Sequence, residues 1–333
     1  MNLRALLKSL PLAAGGAAIA LLAGASLAQT GAAAQSYPMR PIRIIVPFTA
    51  GSASDFFARI IGPKMAESWG QQVVVDNRPS AGGIVAGEIV ARAAPDGHTL
   101  MLTSSAFAGS AALYPKLPYD SVKDFAGVTQ VASNPNMLVV APTLGPRTLK
   151  ELIALVKQNP GKLNFGSAGI GSGIHYTMEL FNLAAGIKAV HVPYRGSPEV
   201  VTETAAGRLH YSFVPMPPSI PFVKSGRLLG LAVSTATRSH MLPDVPTVAE
   251  AALPGFDYDG WFGLLAPRAT PRAIINKLAA ETARILALPE VREPMLNQGA
   301  TPRASTPEAL DKLVRTEIAT RRKVFAAAGV RPE

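Results

Sequence analysis

The chain has 333 residues and no cysteine, with 32 Lys and Arg against 22 Asp and Glu, a formal net charge of +10. Disulfides and thiolate metal sites are therefore excluded, and the fold must stand on burial alone. The basic residues are scattered with few aromatics among them, which favours small anionic ligands or anionic surfaces over nucleic acid.

Arg4 and Lys8 precede an Ala/Leu/Gly run from Leu10 to Leu27, and Ser26-Leu27-Ala28 and Ala32-Ala33-Ala34 offer small-residue cleavage sites. The pattern predicts an export signal over residues 1–34, cut near 28 or 34, which leaves a mature charge of +8. Pro11 and several glycines break the run, against a membrane anchor, and no later stretch is long and apolar enough to span a bilayer. A soluble, exported, periplasmic protein is expected. Its length allows two lobes of roughly 100 to 150 residues each.

In chain order, Ile42 to Val46 is a β-branched strand, followed by Pro47-Phe48-Thr49-Ala50-Gly51-Ser52-Ala53-Ser54-Asp55 and a helix to about Trp69 that Gly70 ends. Ser54 or Asp55 can cap that helix; in a binding role, Ser52, Ser54 and the free N–H groups would face a ligand, with Asp55 available to an amino or hydroxyl group. A strand at Val73 to Val75, a helix from Ile84 to Ala94 and a strand at Leu100 to Thr103 continue a βαβαβ series. This predicts a mostly parallel sheet with helices on both faces and ligands at the carboxyl ends of strands, where Ser104 and Ser105 lie. Tyr114 to Pro135 reads as irregular, and Met137 to Ala141 as a strand.

Leu163 to Phe165 then runs into a Gly/Ser loop, Gly166 to Gly173, that opens a helix bearing Ile174, Met178 and Phe181. The first turn of a helix leaves N–H groups unpaired at the positive end of its dipole, and the glycines allow close approach, so this loop is an anion cradle suited to a carboxylate. The plain alternative is a flexible turn with Ser172 as an ordinary cap. His175 sits in the first turn and either donates to a ligand or packs inside. A second βαβ series follows: Val190 to Val192, Tyr194-Arg195-Gly196-Ser197 at a strand end, a helix with Pro198 at its start, strands at Leu209 to Val214 and Leu228 to Val233, and a capping box at Thr247 to Glu250. Trp261 to Ala266 is a late strand and the remainder is helical. Chain crossings near 133 to 138 and 258 to 262 predict a hinged clamshell: lobe 1 from 37–136 plus 261–333, lobe 2 from 137–260. The two loops would then face one ligand across the cleft.

Pro41-Ile42-Arg43-Ile44-Ile45-Val46-Pro47-Phe48, Asn77-Arg78-Pro79, Pro95-Asp96-Gly97, Asn164-Phe165-Gly166-Ser167-Ala168-Gly169, His191-Val192-Pro193-Tyr194, Leu242-Pro243-Asp244-Val245-Pro246-Thr247 and Trp261-Phe262-Gly263-Leu264-Leu265-Ala266-Pro267 together resemble the Bug receptors, the extracytoplasmic solute receptors of tripartite tricarboxylate transporters. The resemblance covers the whole mature chain. It implies a type II periplasmic-binding-protein fold, capture of a small carboxylate, and delivery to integral-membrane transport components. By resemblance the gripping role falls on Ser167, Ala168, Gly169 and Ser172, and on Ala50, Ser52, Ser54 and Asp55. Phe48 is placed at the cleft wall, with Ser104, His175 and Tyr194 beside it. Thr49, Ser52 and Ala53 depart from the family's Pro-x-Gly-Gly-x-x-Asp pattern, and Pro215-Met216-Pro217-Pro218 predicts a stiff apolar wall.

No nucleotide loop, hydrolase elbow or His-x-x-x-His spacing occurs, so no cofactor or metal is expected. The rival readings are a ligand-sensing input to a signalling partner, and an exported enzyme using Asp55 or His175, which lacks a nucleophile–base pair in the sequence. A monomer is expected.

Overall fold

A computed structural model describes residues 37–331; the expected export signal lies outside them. Strand β1 (Ile42–Val46) is almost wholly β-branched and almost wholly buried, as a central strand requires. It leads into α1 (Ala53–Trp69), capped by Ser52 at one end and by Gly70, in the left-handed region, at the other. Then come β2 (Val73–Asn77), α2 (Ile84–Ala91), β3 (Thr99–Ser104) and α3 (Ala106–Leu113). β4 (Phe125–Asn134) is a ten-residue strand inside the segment that reads as irregular. Its Gly, Thr, Gln, Ser and Asn hide the strand pattern, and pairing to the late strand β10 (Gly260–Pro267) supplies what local propensity does not.

Pro135 alone separates β4 from β5 (Asn136–Val140), the entry to a second sheet. That sheet is completed by β6 (Asn164–Ser167), β7 (Val190–Pro193), β8 (Tyr211–Pro215) and β9 (Leu229–Val233). Between these strands lie α4 (Leu149–Gln158), α5 (Gly173–Ala185), α6 (Ser197–Ala205) and α7 (Met216–Lys224), with the short α8 (Val248–Ala251) after β9. After β10 come α9 (Arg272–Leu286), α10 (Pro289–Asn297), β11 (Thr301–Pro302) and α11 (Pro307–Ala327). The strand orders are β11-β4-β10-β3-β1-β2 and β7-β6-β8-β5-β9.

In each sheet most strands run the same way, as expected, with β10 and the short β11 reversed in the first and β5 reversed in the second. β1 pairs in parallel with β2 and β3, but β10 lies antiparallel to β3 and β4. In the second sheet β6 is parallel to β7 and β8, whereas β5 is antiparallel to β8 and β9. The strands that break the parallel order flank the chain crossings, where the polypeptide enters a sheet straight from its neighbour rather than through a crossover helix. The Pro215 to Pro218 segment is no loop: β8 ends at Pro215 and α7 starts at Met216, with prolines tolerated in its first turn.

At the crossings, Asn136 N–H donates to Ser234 Oγ at 3.0 Å, Ser234 Oγ donates to the Tyr258 carbonyl at 2.7 Å, and Tyr258 N–H donates to the Ser234 carbonyl at 2.8 Å. The passing segments are thus stitched to one another. α11 spans both sheets: Leu310, Val314 and Ile318 pack with Met101, Phe107 and Trp261, while Val324 and Phe325 pack with Phe165, Tyr176 and Phe181. Among the described residues no helix is long and apolar enough to cross a membrane.

Candidate functional site

The loop between β6 and α5 is built on Ser167, Gly169, Gly171 and Ser172. Gly169 and Gly171 have φ of 105° and 79°, values that a side chain would strain. Ser172 caps α5 by accepting from His175 N–H at 3.2 Å. Ser167 has no exposed surface; its Oγ accepts from Gly169 N–H at 3.1 Å and lies 2.7 Å from His191 Nε2. Gly171 N–H donates to His175 Nδ1 at 3.1 Å. Among the described residues the amides of Ala168, Ile170, Gly173 and Ile174 find no acceptor. They are the loop's unspent donors, at the positive end of α5.

The β1–α1 loop repeats the device. Ser52 N–H bonds to the Thr49 carbonyl, Asp55 N–H to Ser52 Oγ at 3.3 Å, and Gly51 N–H to Asp55 Oδ2 at 2.9 Å. Asp55 is buried and pairs with Arg59 Nε at 2.9 Å. Burial works to raise its carboxyl, but the hydrogen bonds from Arg59 and Gly51 outweigh it and hold the group below the usual range. Arg59 Nη2 reaches Asn77 Oδ1 at 3.2 Å, and Asn77 Nδ2 holds the Phe48 carbonyl at 3.1 Å. Ala50, Ala53 and Ser54 keep unspent amides.

The candidate residues therefore divide. Ser167, Ala168, Gly169, Ser172 and His175 form one loop with its helix start. Tyr194 joins them, its N–H donating to the Ser167 carbonyl at 2.8 Å. Phe48, Ala50, Ser52, Ser54 and Asp55 form the other loop, with Phe48 leaning on the first core cluster. Among the described residues no hydrogen bond links the two loops. Ser104 Oγ accepts from Ala106 N–H at 3.3 Å and is taken up as a local cap. Its neighbour Ser105 is the one that meets the second loop, against Gly173 and 3.1 Å from the Tyr258 hydroxyl.

Several side chains do other work than the sequence suggests. Asp55 is spent on Arg59 and Gly51, so it is no ready partner for a ligand ammonium. His175 is 1% exposed and its Nδ1 accepts from Gly171 N–H. Ser54 is buried with its Oγ unpartnered. Arg78 is ion-paired to Asp76 at 2.9 Å, and His98 is buried against Tyr37.

The sequence gives no sign of the imidazole pair. His191 and His175 stack at 3.9 Å between ring centroids with 10° between planes, and Phe165 stacks on the far side of His191 at 5.1 Å. A serine hydroxyl 2.7 Å from an imidazole is nucleophile-and-base geometry. Ser167, however, is sealed from solvent, and burial together with neighbouring His175 pushes His191 down to about 3. An open groove of about 610 Å³ adjoins the second loop, lined by Tyr194, Arg195, Glu199 and Glu203 among others. A cavity of about 10 Å³ lined by Phe107, Phe125, Leu265 and Asp311 lies between β4, β10 and α11, and no residue of either loop lines it. Among the described residues no cluster of His, Asp and Glu could hold a metal.

Two mixed sheets joined by paired crossings, with a small-residue loop and helix start on each, define a two-lobed solute-binding protein. Residues 57–330 match the family described as the tripartite tricarboxylate transporter family receptor, and the chain belongs to that family. The protein BugT of Bordetella pertussis is 37% identical over 287 residues, covering 86% of this chain and 88% of its own. A solved R. palustris protein with adipate superposes with a TM-score of 0.81 at 34% identity, over 89% of this chain and 100% of that one. MatC from Rhodopseudomonas palustris with bound malate gives 0.77 at 33%, over 86% and 99%. The Bug-receptor resemblance is confirmed, and the solute-binding fold with it.

Proposed function

We propose that this chain is a periplasmic receptor that captures a small organic acid, a dicarboxylate in the class of adipate or malate, and delivers it to the membrane components of a tripartite transporter. One observation carries the reading: each of two strand–loop–helix units keeps unspent amides at the positive end of its helix, Ala50, Ala53 and Ser54 in one and Ala168, Ile170, Gly173 and Ile174 in the other. Two such ends suit a ligand with a carboxylate at each end. Relatives solved with adipate and with malate support the class. The lobes are 37–136 with 261–333 and 137–260, the end of α11 lying with the second.

In this reading the backbone binds, and the hydroxyls of Ser52, Ser167 and Ser172 shape the loops. Each amide-to-carboxylate bond is worth about 1.5 to 3 kcal/mol net, so four or five, less the cost of ordering, reach micromolar binding. No reaction is assigned to either loop. The test is a thermal-shift and calorimetric screen of the mature protein against adipate, malate and their diamides. A rise in Tm with a diacid and none with its diamide is expected; no rise with any carboxylate would overturn the assignment.

A further inference from the structure

The second loop is held from beneath by two imidazoles, each through one ring nitrogen. His191 Nε2 lies 2.7 Å from Ser167 Oγ, and that hydroxyl holds the Gly169 N–H at 3.1 Å and lies 3.1 Å from the Gly169 carbonyl. His175 Nδ1 accepts from Gly171 N–H at 3.1 Å. That bond fixes the tautomer: Nδ1 offers its lone pair, so the proton sits on Nε2, 3.5 Å from Glu179 Oε1. The amides of Gly169 and Gly171 are thereby turned inward, while those of Ala168 and Ile170, which alternate with them, stay unspent. Phe165, His191 and His175 form one continuous stack, so neither ring can turn without displacing its neighbour.

We propose that His191 is the positioning residue of the second anion loop: through Ser167 it fixes which way the Gly169 peptide faces, and so presents the Ala168 and Ile170 amides to an anionic ligand. His175 completes the support at Gly171. Gly169, at φ 105°, has the freedom to flip its peptide, and among the described residues its hydrogen bonds are to the Ser167 hydroxyl and from the Ser172 N–H to its carbonyl. A bare serine hydroxyl rotates; one locked to an imidazole does not. That an organic acid is the ligand rests on the function proposed above, but the loop's support does not.

The experiment separates the two. His191→Phe keeps the stack between Phe165 and His175 and removes Nε2, whereas His191→Gln places a polar side-chain atom near the lost nitrogen. Amide hydrogen exchange over residues 168–173 is measured on the ligand-free proteins, with adipate and malate titrated separately. Exchange about tenfold faster in H191F and within about threefold of wild type in H191Q is expected, with Ser167→Ala matching H191F. Where wild type binds adipate or malate, affinity is expected to fall about tenfold in H191F and to recover in H191Q. Unchanged exchange in H191F and S167A, or equal loss in H191F and H191Q, would overturn the proposal. Should H191F fail to fold, S167A decides alone. Wild type that binds no acid would sink the ligand assignment and leave the exchange result to judge the loop.

Discussion

Gly109 on α3 and Gly171 in the second loop meet backbone to backbone, and a Cβ built on Gly109 would lie 2.1 Å from the Gly171 carbonyl oxygen. The contact seats the β6–α5 loop of one sheet on a helix of the other. Alanine would favour the α3 helix by up to about 1 kcal/mol, but here it would drive into a carbonyl that has no flexible end to yield. Gly109→Ala is expected to lose about 1 to 3 kcal/mol in urea unfolding. Wild-type stability in that variant would mean that α3 and the loop do not touch in solution.

Arg321 is fully buried on α11, where Nη2 donates to the Tyr258 hydroxyl at 2.7 Å and Nε to Glu317 Oε2 at 2.7 Å. Its guanidinium lies 4.1 Å from the centre of the Tyr176 ring, so one side chain ties the last helix to α5 and to the chain crossing. Removing one member of a buried pair strands the rest, and Arg321→Ala is expected to cost about 3 to 5 kcal/mol. Arg321→Lys should recover little, because an ammonium cannot serve two divergent acceptors and stack as well. A loss below about 1 kcal/mol in the alanine variant would show that the cluster is not a joint.

The parts that the residues announced were those governed by local rules. β1 matches its β-branched run, α1 ends at the Gly70 expected, and Thr247 with Glu250 forms the capping box in full. Ser167 and Ser172 were legible as loop residues for the same reason. β4 was not, because Gln130, Ser133 and Asn134 are polar residues buried by a partner strand more than a hundred residues away. His191 could not be connected to His175 by spacing, since the sheet and not the chain brings them together. Arg321 did leave a signal: it follows Leu310, Val314 and Ile318 at helical spacing, a charge in a core register, which only a buried partner explains.

Asp55 is expected to act on the first loop rather than on the ligand. Its carboxylate accepts from Gly51 N–H and pairs with Arg59, so Asp55→Asn keeps the shape and loses the charge, while Asp55→Ala loses both. The alanine variant should lose about 1 to 3 kcal/mol of stability and bind a diacid at least about tenfold more weakly, with the asparagine variant between it and wild type. Stability and affinity are read by urea unfolding and calorimetry. Tighter binding of an anion by Asp55→Ala would instead place the carboxylate in direct repulsion with the ligand, against the arrangement seen here.

Asp259, just before β10, should give the protein a pH dependence opposite to that of an ordinary paired carboxylate. Burial raises it to about 6 from 3.8, against the pull of Ser133 and Arg303, and Asp257 adds to the rise. Its Oδ1 has no partner, and Oδ2 is 3.5 Å from Arg303 Nη1. The folded state therefore holds a proton more tightly than the unfolded chain. The group's contribution is fully present below 3.8 and lost as pH rises through about 6. Since the side chain is 29% exposed, the loss is expected to be on the order of 1 to 2 kcal/mol. Asp259→Asn removes the titration, so its stability relative to wild type should rise between about pH 4 and pH 7, as measured by urea unfolding across that range. Parallel curves for the two proteins would show that Asp259 is ionised at the crossing in the folded state as freely as in water.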